Sequence, residues 1–273
     1  MKEKNHMKLS GIISRQSLKP GNFYNIIADL WEEIINFIFP AKGLCLLCWE
    51  EYSGTPQRGI CARCRETVLA LNSEGRACRL CGRFTIETEC PNCHGQGLAG
   101  LAGVISVVPY QGQYRELIQQ LKFGGQQELS RPLGYLMGEK WKQVFPDCRP
   151  DIIVPVPLEP RRHFERGFNQ SSLLGMAVSR SLRRPLREDC LLRGSGKADQ
   201  TTLGRRERIA NTAQAFRAGE GVRLTGRTVL LIDDIITTGA TLAACASVLQ
   251  EMGAKTVWGI TWAAGIRQII QNY

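Results

Sequence analysis

The sequence predicts an α/β protein: a parallel sheet flanked by helices, preceded by a small cysteine-rich module. Short apolar runs alternate with helical patterns after residue 101, as expected when crossover helices connect parallel strands. Eight of the eleven cysteines lie between Cys45 and Cys93, in a stretch with few long apolar runs. The chain of 273 residues is long enough for one sizeable α/β domain and a smaller module. We therefore expect a module at 42–100 and a larger domain at 101–273.

The elements of the larger domain follow from its apolar and glycine patterns. Strands are expected at 103–110, 151–157, 228–232 and 255–262, where short apolar runs are bounded by turn-forming or polar residues. Helices are expected at 114–122, 133–144, 169–182 and 241–252. The polar stretch 191–211 contains Gly194, Gly196 and Gly204, so we expect it to be a mobile connection.

Residues 1–41 are expected to form a leader followed by an amphipathic helix. The apolar residues at helical spacing are Ile26, Ile27, Leu30, Ile34 and Ile35. Pro40 predicts the end of this helix. The apolar run is interrupted by Asp29, Glu32 and Glu33, so it is too short and too charged to span a bilayer. With no membrane span and no visible signal peptide, we expect the protein to be cytoplasmic.

The module at 42–100 contains four Cys-x-x-Cys pairs separated by twelve, thirteen and eight residues. The pairs are Cys45/Cys48, Cys61/Cys64, Cys78/Cys81 and Cys90/Cys93. Two such pairs complete one tetrahedral Cys₄ site, so the sequence predicts structural zinc, one ion or two, with eight ligands suiting two. Sequential pairing is the simplest arrangement, and an interleaved arrangement is the alternative. A reducing compartment favours metal ligation over disulfides.

Positive charge is concentrated in the second half of the chain. The formal net charge is +10, and the stretch 158–217 contains thirteen Lys or Arg against six Asp or Glu. Such a stretch is typical of proteins that bind a phosphate-rich ligand or nucleic acid. A solvated basic surface without a ligand is the alternative.

A phosphate-binding loop is predicted at 229–241, where an apolar run ends in two carboxylates and a hydroxyl-rich turn. The carboxylates are Asp233 and Asp234, and the turn that follows is Ile235-Ile236-Thr237-Thr238-Gly239-Ala240-Thr241. Ligands bind at the carboxyl ends of parallel strands, and a helix N-terminus presents backbone N–H groups to an anion. Gly239 permits close approach to a phosphate. The two carboxylates suit a ligand that also carries hydroxyl groups, with Mg²⁺ reducing the charge repulsion.

This stretch resembles the signature with which type I phosphoribosyltransferases bind phosphoribosyl pyrophosphate (PRPP). The resemblance implies a parallel-sheet type I phosphoribosyltransferase fold for 101–273, with PRPP and Mg²⁺ as ligands. It assigns the ribose hydroxyls to Asp233 and Asp234, as the catalytic pair. It assigns PRPP binding to the turn at 235–241, with the 5′-phosphate at 237–241.

A second part of the PRPP site is expected after an earlier strand. Val156 and Pro157 end the run at 151–157 and occupy the place of the loop that contacts pyrophosphate in the type I fold. Arg161 and Arg162 follow, and guanidinium groups are well suited to a diphosphate. The alternative is a proline-rich turn with exposed arginines.

Over residues 35–265 the chain is similar to the ComF family. The segments that carry the similarity are the cysteine module, Leu121-Lys122-Phe123-Gly124, Val154-Pro155-Val156-Pro157, Glu165-Arg166-Gly167-Phe168-Asn169-Gln170, Gln200-Thr201, Arg206-Glu207-Arg208 and Asn211. The resemblance implies a flexible loop that closes over the substrate and carries Gln200, Thr201, Arg206 and Arg208. Family members are tied to DNA uptake during natural transformation, which implies a competence function here.

Three functions are compatible with these features. A phosphoribosyltransferase would displace pyrophosphate from C1 of PRPP with a nitrogen nucleophile, although no motif identifies the acceptor. A nucleic-acid-binding factor would hold single-stranded DNA on the basic stretch and the cysteine module. A PRPP-responsive adaptor would bind PRPP without turnover and dock a partner, such as a competence helicase, through the cysteine module.

Overall fold

Eight strands and six α-helices occur in the part of the chain that the structure describes. The structure is a computed structural model, which describes residues 43–52, 59–71, 77–85, 90–91, 93–194 and 215–265. The strands are β1 (Gly43–Leu44), β2 (Glu51–Tyr52), β3 (Gly103–Pro109), β4 (Ile152–Pro155), β5 (Leu191–Arg193), β6 (Phe216–Ala218), β7 (Thr228–Ile236) and β8 (Thr256–Ala264). The helices are α1 (Ala62–Ala70), α2 (Gly112–Phe123), α3 (Ser130–Val144), α4 (Pro160–Arg166), α5 (Gln170–Leu182) and α6 (Ala240–Glu251), with a 3₁₀ turn at Gln127–Leu129.

Two of the predicted features lie outside the described residues. One is the leader and amphipathic helix at 1–41, and the other is the loop that carries Gln200, Thr201, Arg206 and Arg208. Among the residues that are described, no helix combines the length and the apolar composition needed to cross a membrane.

Four strands form one parallel sheet in the order β3-β8-β7-β4. Strands β4 and β7 are neighbours, and Pro155 lies opposite Ile232 in their register. Because the two strands are parallel, their carboxyl ends lie side by side at one edge of the sheet. The predicted α/β class with a parallel sheet is confirmed. The sheet brings the loop after 151–157 next to the loop after β7.

Alternate residues of strand β7 pack on opposite faces of the sheet. Leu230 and Ile232 belong to a core cluster that includes residues of α2, α3 and α5. Val229 and Leu231 belong to a second cluster with residues of α6. A sheet covered on both faces requires apolar residues at every position, which explains the continuous apolar run before the two aspartates.

Three local expectations differ from the structure. The strand expected at 228–232 continues to Ile236, so both aspartates belong to β7 and not to a following turn. The mobile connection expected at 191–211 is wrong for Leu191–Arg193, which forms β5 and pairs with the antiparallel strand β6. That pairing partner is distant in sequence, so the local polar composition gives no sign of it. The stretch after Pro157 contains a short helix, α4, with Pro160 in its first turn.

The first part of the cysteine module packs against helix α3. Leu47, Ile60 and Val68 are buried in the same cluster as the apolar face of that helix. Arg65 of α1 donates two hydrogen bonds to Glu139, at 2.8 and 2.9 Å. Next to this pair the buried ammonium of Lys140 donates to the Leu69 carbonyl and, at 3.2 Å, to Gln143 Oε1, and burial lowers the pKa of Lys140 to about 8. The module is therefore held against the larger domain by apolar packing and by charge.

Candidate functional site

The two predicted carboxylates lie at the carboxyl end of β7 and have different partners. Asp233 Oδ1 accepts hydrogen bonds from Ser171 Oγ at 3.0 Å and from the Asp234 backbone N–H at 2.9 Å. Asp234 Oδ1 accepts from the Ile235 N–H at 2.7 Å, and its Oδ2 lies 2.5 Å from Lys122 Nζ. The acidic pair is therefore held from two sides, by the start of α5 and by the end of α2.

The environment of Asp233 disfavours its charge. Burial, and after it the charge of Asp234, raise the pKa of Asp233 to about 7, although the hydrogen bonds from the Asp234 N–H and Ser171 act in the opposite direction. A carboxyl group with a pKa near neutrality is typical of a functional site. It exists in both protonation states at physiological pH, so it can accept a hydrogen bond or a proton from a ligand.

The raised pKa of Asp233 makes the substitution Asp233→Asn stabilising at alkaline pH. Because the pKa of Asp233 in the folded protein is above its ordinary value, the contribution of Asp233 to folding stability is greatest in acid. This contribution is lost as the pH rises through about 7. Asparagine keeps the Oδ1 acceptor and removes the charge. Allowing for solvent screening, we expect Asp233→Asn to stabilise the ligand-free protein by about 1–2 kcal/mol at pH 8 and by little at pH 5.

Thermal unfolding at the two pH values measures this effect. Asp189→Asn is the matched control, because Asp189 pairs with Arg187 on the surface and its pKa is lowered. That control should lose a little stability at pH 8. If Asp233→Asn melted at a lower temperature than the wild type at pH 8, the charge of Asp233 would not destabilise the folded protein.

The predicted phosphate loop leads directly into helix α6. Thr237 and Thr238 are exposed, and Thr238 Oγ1 accepts from the Ala240 N–H at 3.3 Å. Gly239 precedes the helix with φ of 80°, a left-handed conformation that favours glycine. A Cβ there would lie 2.7 Å from the Cδ atoms of Leu98, so a larger residue would displace the end of that side chain. The turn presents hydroxyl groups and the helix N-terminus at the same edge as the acidic pair.

The neighbouring strand contributes the second predicted element. The Val156 N–H donates to the Ile232 carbonyl at 2.9 Å, so Val156 and Pro157 lie beside the end of β7. Asn169 Nδ2 donates to the Val156 carbonyl at 2.9 Å, and its Oδ1 accepts from the Ser171 N–H at 3.0 Å, capping α5. Asn169 therefore joins the loop after β4 to the helix that carries the partner of Asp233.

The two predicted arginines are placed differently. Arg161 is exposed and pairs with Glu165 at 3.0 Å on the surface of α4. Arg162 lies 3.6 Å from Glu159 and lines a cavity of about 500 Å³. In the described part of the chain the cavity lining consists of Lys122, Phe123, Gly125, Arg162, Glu165, Arg166 and Phe168. The structure thus brings Arg162 to the cavity and leaves Arg161 outside that lining.

Sequence reasoning assigned no role to two residues of this site. Lys122 lies in the segment at 121–124 that carried the family resemblance, so that motif was a signal for it. Ser171 had no local signal, since its contact with Asp233 spans 62 positions. Both contacts depend on how helices pack against the sheet, which a local pattern does not contain.

The eight predicted metal ligands form two separate groups. Cys45, Cys48, Cys61 and Cys64 form the first group, and Cys78, Cys81, Cys90 and Cys93 form the second. In each group the ligand atoms lie within 4.8 Å of one another. The pairs Cys48–Cys61, Cys78–Cys93 and Cys81–Cys90 have Sγ–Sγ distances of 3.9, 3.7 and 3.6 Å.

These distances fit a tetrahedral zinc site. A Zn–S bond of about 2.3 Å places sulfur atoms of a tetrahedron about 3.8 Å apart, whereas a disulfide bond is about 2.05 Å long. All eleven cysteines lie in the described ranges, and none of them forms a disulfide bond there. The sequential pairing is therefore the one observed, and the interleaved alternative is wrong.

The second cysteine group adjoins the phosphate loop. Leu98 packs against Cys81, Cys90 and Cys93, and it is also the side chain that a Cβ at Gly239 would meet. Gln250 Nε2 of α6 donates to the Gly100 carbonyl at 3.1 Å. The segment that leaves the second cysteine group is thus anchored on the helix that begins at the phosphate loop.

Comparison with curated proteins finds relatives that cover most of the chain. The DNA utilization protein YhgH of Shigella flexneri is 35% identical over 220 residues, which are 73% of this chain and 94% of that protein. Competence protein F of Haemophilus influenzae is 31% identical over 222 residues, 76% and 92% of the two chains. Competence protein ComFC of Bacillus subtilis is 28% identical over 228 residues, 78% and 90%. No protein-family model matches the chain.

Two of the similar solved structures are phosphoribosyltransferases of low sequence identity. The purine phosphoribosyltransferase of Pyrococcus horikoshii is 18% identical with a TM-score of 0.31, and the match covers 48% of this chain and 70% of that one. The adenine phosphoribosyltransferase of Saccharomyces cerevisiae is 19% identical with a TM-score of 0.35, covering 50% and 69%.

Proposed function

The chain belongs to the family of the ComF and ComFC competence proteins and of YhgH, and on that premise we propose that it binds PRPP with Mg²⁺ and acts in DNA uptake. The observation that carries the proposal is the acidic pair at the end of β7, followed at once by Gly239 and the N-terminus of α6. Carboxylates accept from a sugar diol, and a helix N-terminus binds a phosphate. PRPP carries a ribose diol and a 5′-phosphate in one molecule, in the same order as the acidic pair and the helix N-terminus.

Each part of PRPP has a counterpart in the site. Asp233 and Asp234 accept hydrogen bonds from the ribose hydroxyls, and the turn at 237–241 binds the 5′-phosphate through N–H and hydroxyl groups. The pyrophosphate lies toward Val156 and Pro157, with Arg162 as the cation at that side. Mg²⁺, when bound with PRPP, screens the charge between the pyrophosphate and the two carboxylates. In addition, each cysteine group holds one structural zinc ion.

The contact of Lys122 with Asp234 prepares the site for an anionic ligand. The ammonium neutralises one carboxylate at 2.5 Å, and both groups are largely buried. Without it, two adjacent carboxylates and the phosphates of PRPP would repel one another. Lys122 is therefore a positioning residue: it holds Asp234 in place and lowers the electrostatic cost of binding PRPP.

Turnover requires an acceptor as well as PRPP. In the transferase reaction the bond from C1 to the pyrophosphate oxygen breaks, and pyrophosphate leaves with the electron pair. A bond from C1 to the nucleophilic nitrogen forms, and the nitrogen gives up a proton. The residues of the site position the ribose and stabilise the departing charge. A PRPP-responsive adaptor without turnover would use the same binding contacts.

Calorimetric titration with PRPP and Mg²⁺ tests the proposal directly. We expect saturable binding of one PRPP per chain, with much weaker binding of ribose 5-phosphate or of pyrophosphate alone, since each lacks half of the contacts. A pyrophosphate-release assay on the same sample separates a transferase from an adaptor. Absence of PRPP binding to zinc-loaded, folded protein would overturn the proposal.

A further inference from the structure

A cleft next to the acidic pair has the size and lining of a ligand site. Its volume of about 500 Å³ is in the range of small-molecule sites. Two aromatic rings, Phe123 and Phe168, and three cations, Lys122, Arg162 and Arg166, belong to its lining. We call it the Phe123 cleft.

Phe123 forms an exposed stacking platform with Arg166. The Phe123 side chain is 74% exposed, although it ends the otherwise amphipathic helix α2. The Arg166 guanidinium lies 4.6 Å from the centroid of the Phe123 ring, and Arg166 Nη1 donates to Gln170 Oε1 at 3.0 Å. The hydrogen bond fixes the guanidinium against the ring. An aromatic ring paired with an arginine is the surface on which nucleobases stack.

The charge of the cleft favours a phosphate. Among the described lining residues Glu165 is the only one with a carboxylate. That carboxylate pairs at 3.0 Å with Arg161, a residue that does not belong to the lining. Lys122 is engaged by Asp234, whereas Arg162 has a looser contact with Glu159 at 3.6 Å. An anion that enters the cleft can therefore pair with Arg162 at a smaller energetic cost than with Lys122, because it replaces a weaker ion pair. An apolar peptide would leave these cations without a partner.

The cleft is continuous with the carboxyl edge of the sheet. Lys122 belongs to the cleft lining and also contacts Asp234, so a ligand in the cleft lies beside the acidic pair. Gly125 in the same lining has a φ of 68° and open space where a side chain would be. The chain thus turns away after Phe123 and leaves one side of the platform accessible.

From these contacts we infer that the Phe123 cleft binds one nucleotide of a single-stranded nucleic acid, with its base on the Phe123–Arg166 platform and its phosphate at Arg162. This goes beyond PRPP binding, and because Arg162 is also the cation proposed for the pyrophosphate, the strand is tested without PRPP. A bare pyrophosphate would use the cations and leave the exposed ring without a role. A nucleotide uses both.

Binding of a fluorescently labelled oligothymidylate, measured by anisotropy without PRPP across a salt series, tests the inference. Loss of one base–aromatic stack costs about 1–3 kcal/mol, so Phe123→Ala should weaken binding by roughly 5-fold to 150-fold. Because the substitution is neutral in charge, the salt dependence should stay the same. Arg162→Gln should instead reduce the slope of log K against log salt by about 0.7, as expected for one lost phosphate contact on a single strand.

Phe164→Ala is the matched control, since Phe164 is a 91% exposed phenylalanine of α4 that lies outside the cleft lining. It should bind the strand like the wild type. The inference is wrong if Phe123→Ala binds with unchanged affinity, or if Phe164→Ala loses as much. Thymidine 5′-monophosphate serves as competitor: displacement at the affinity of the strand would assign the cleft to a free nucleotide instead. Unfolding temperatures of both variants should equal that of the wild type, because both rings are exposed.

Discussion

The double substitution Asp233→Asn, Asp234→Asn should abolish measurable PRPP binding while the sheet stays folded. Two charge-assisted hydrogen bonds to ribose hydroxyls are weakened together, at about 1.5–3 kcal/mol each, which corresponds to a loss of roughly a hundredfold or more in affinity. Asparagine keeps the Oδ1 acceptors that bind Ser171 Oγ and the Ile235 N–H. Calorimetric titration with PRPP and Mg²⁺ measures the loss, and circular dichroism reports the fold.

The contact between Lys122 and Asp234 requires a further variant as a control for this experiment. Its ammonium is largely buried against Asp234, so neutralising Asp234 alone leaves a buried cation without its partner. We therefore expect Asp234→Asn to destabilise the protein, and Lys122→Gln added to the double variant should restore part of the lost stability. If the restored triple variant bound PRPP as tightly as the wild type, the acidic pair would not be the ribose site. Asp189→Asn, a surface change, should leave PRPP affinity unaltered.

Local patterns in the sequence were sufficient to predict the sheet, but they did not predict all the contacts of the site. The runs that became β3, β4, β7 and β8 are apolar because both faces of the sheet are covered, and burial of that kind is visible in composition. The acidic pair was visible for the same reason, since it interrupts such a run. The partners of the pair were not, because Lys122 and Ser171 reach it across packed helices.

The elements that the sequence did not predict depend on distant partners or on short helices. Strand β5 exists because it pairs with β6 and packs against α6, and its three residues begin the long polar stretch 191–211, whose composition predicted a loop. The helix α4 has seven residues, fewer than a periodic pattern needs to be recognised. The pairing of the cysteines was equally undetermined, since four identical Cys-x-x-Cys pairs are chemically equivalent. Only their positions in space separate two groups.

Removal of one cysteine ligand should have different consequences in the two groups. Structural zinc contributes about 10–16 kcal/mol of apparent binding energy to the fold of small modules, so losing a ligand is expected to release the ion and loosen its surroundings. Cys81→Ser acts on the group that Leu98 joins to Gly239. Cys48→Ser acts on the group that packs toward α3. We expect two zinc ions per wild-type chain and one in each variant, with Cys148→Ser as a control that keeps both.

We expect the affinity for PRPP to distinguish the two variants, because the described residues link the second group to the loop through Leu98. Gly239 has a left-handed φ and lies directly against the Leu98 side chain, so we expect the loop conformation to depend on where Leu98 is held. When the second group loses its ion, Leu98 loses its support, and we expect PRPP binding to weaken by about tenfold, the equivalent of 1.4 kcal/mol. Cys48→Ser should change it by less than about threefold, a difference of roughly 0.6 kcal/mol. Equal losses in both variants would mean that zinc acts on general stability, whereas an effect confined to Cys81→Ser makes the second cysteine group the support of the phosphate loop.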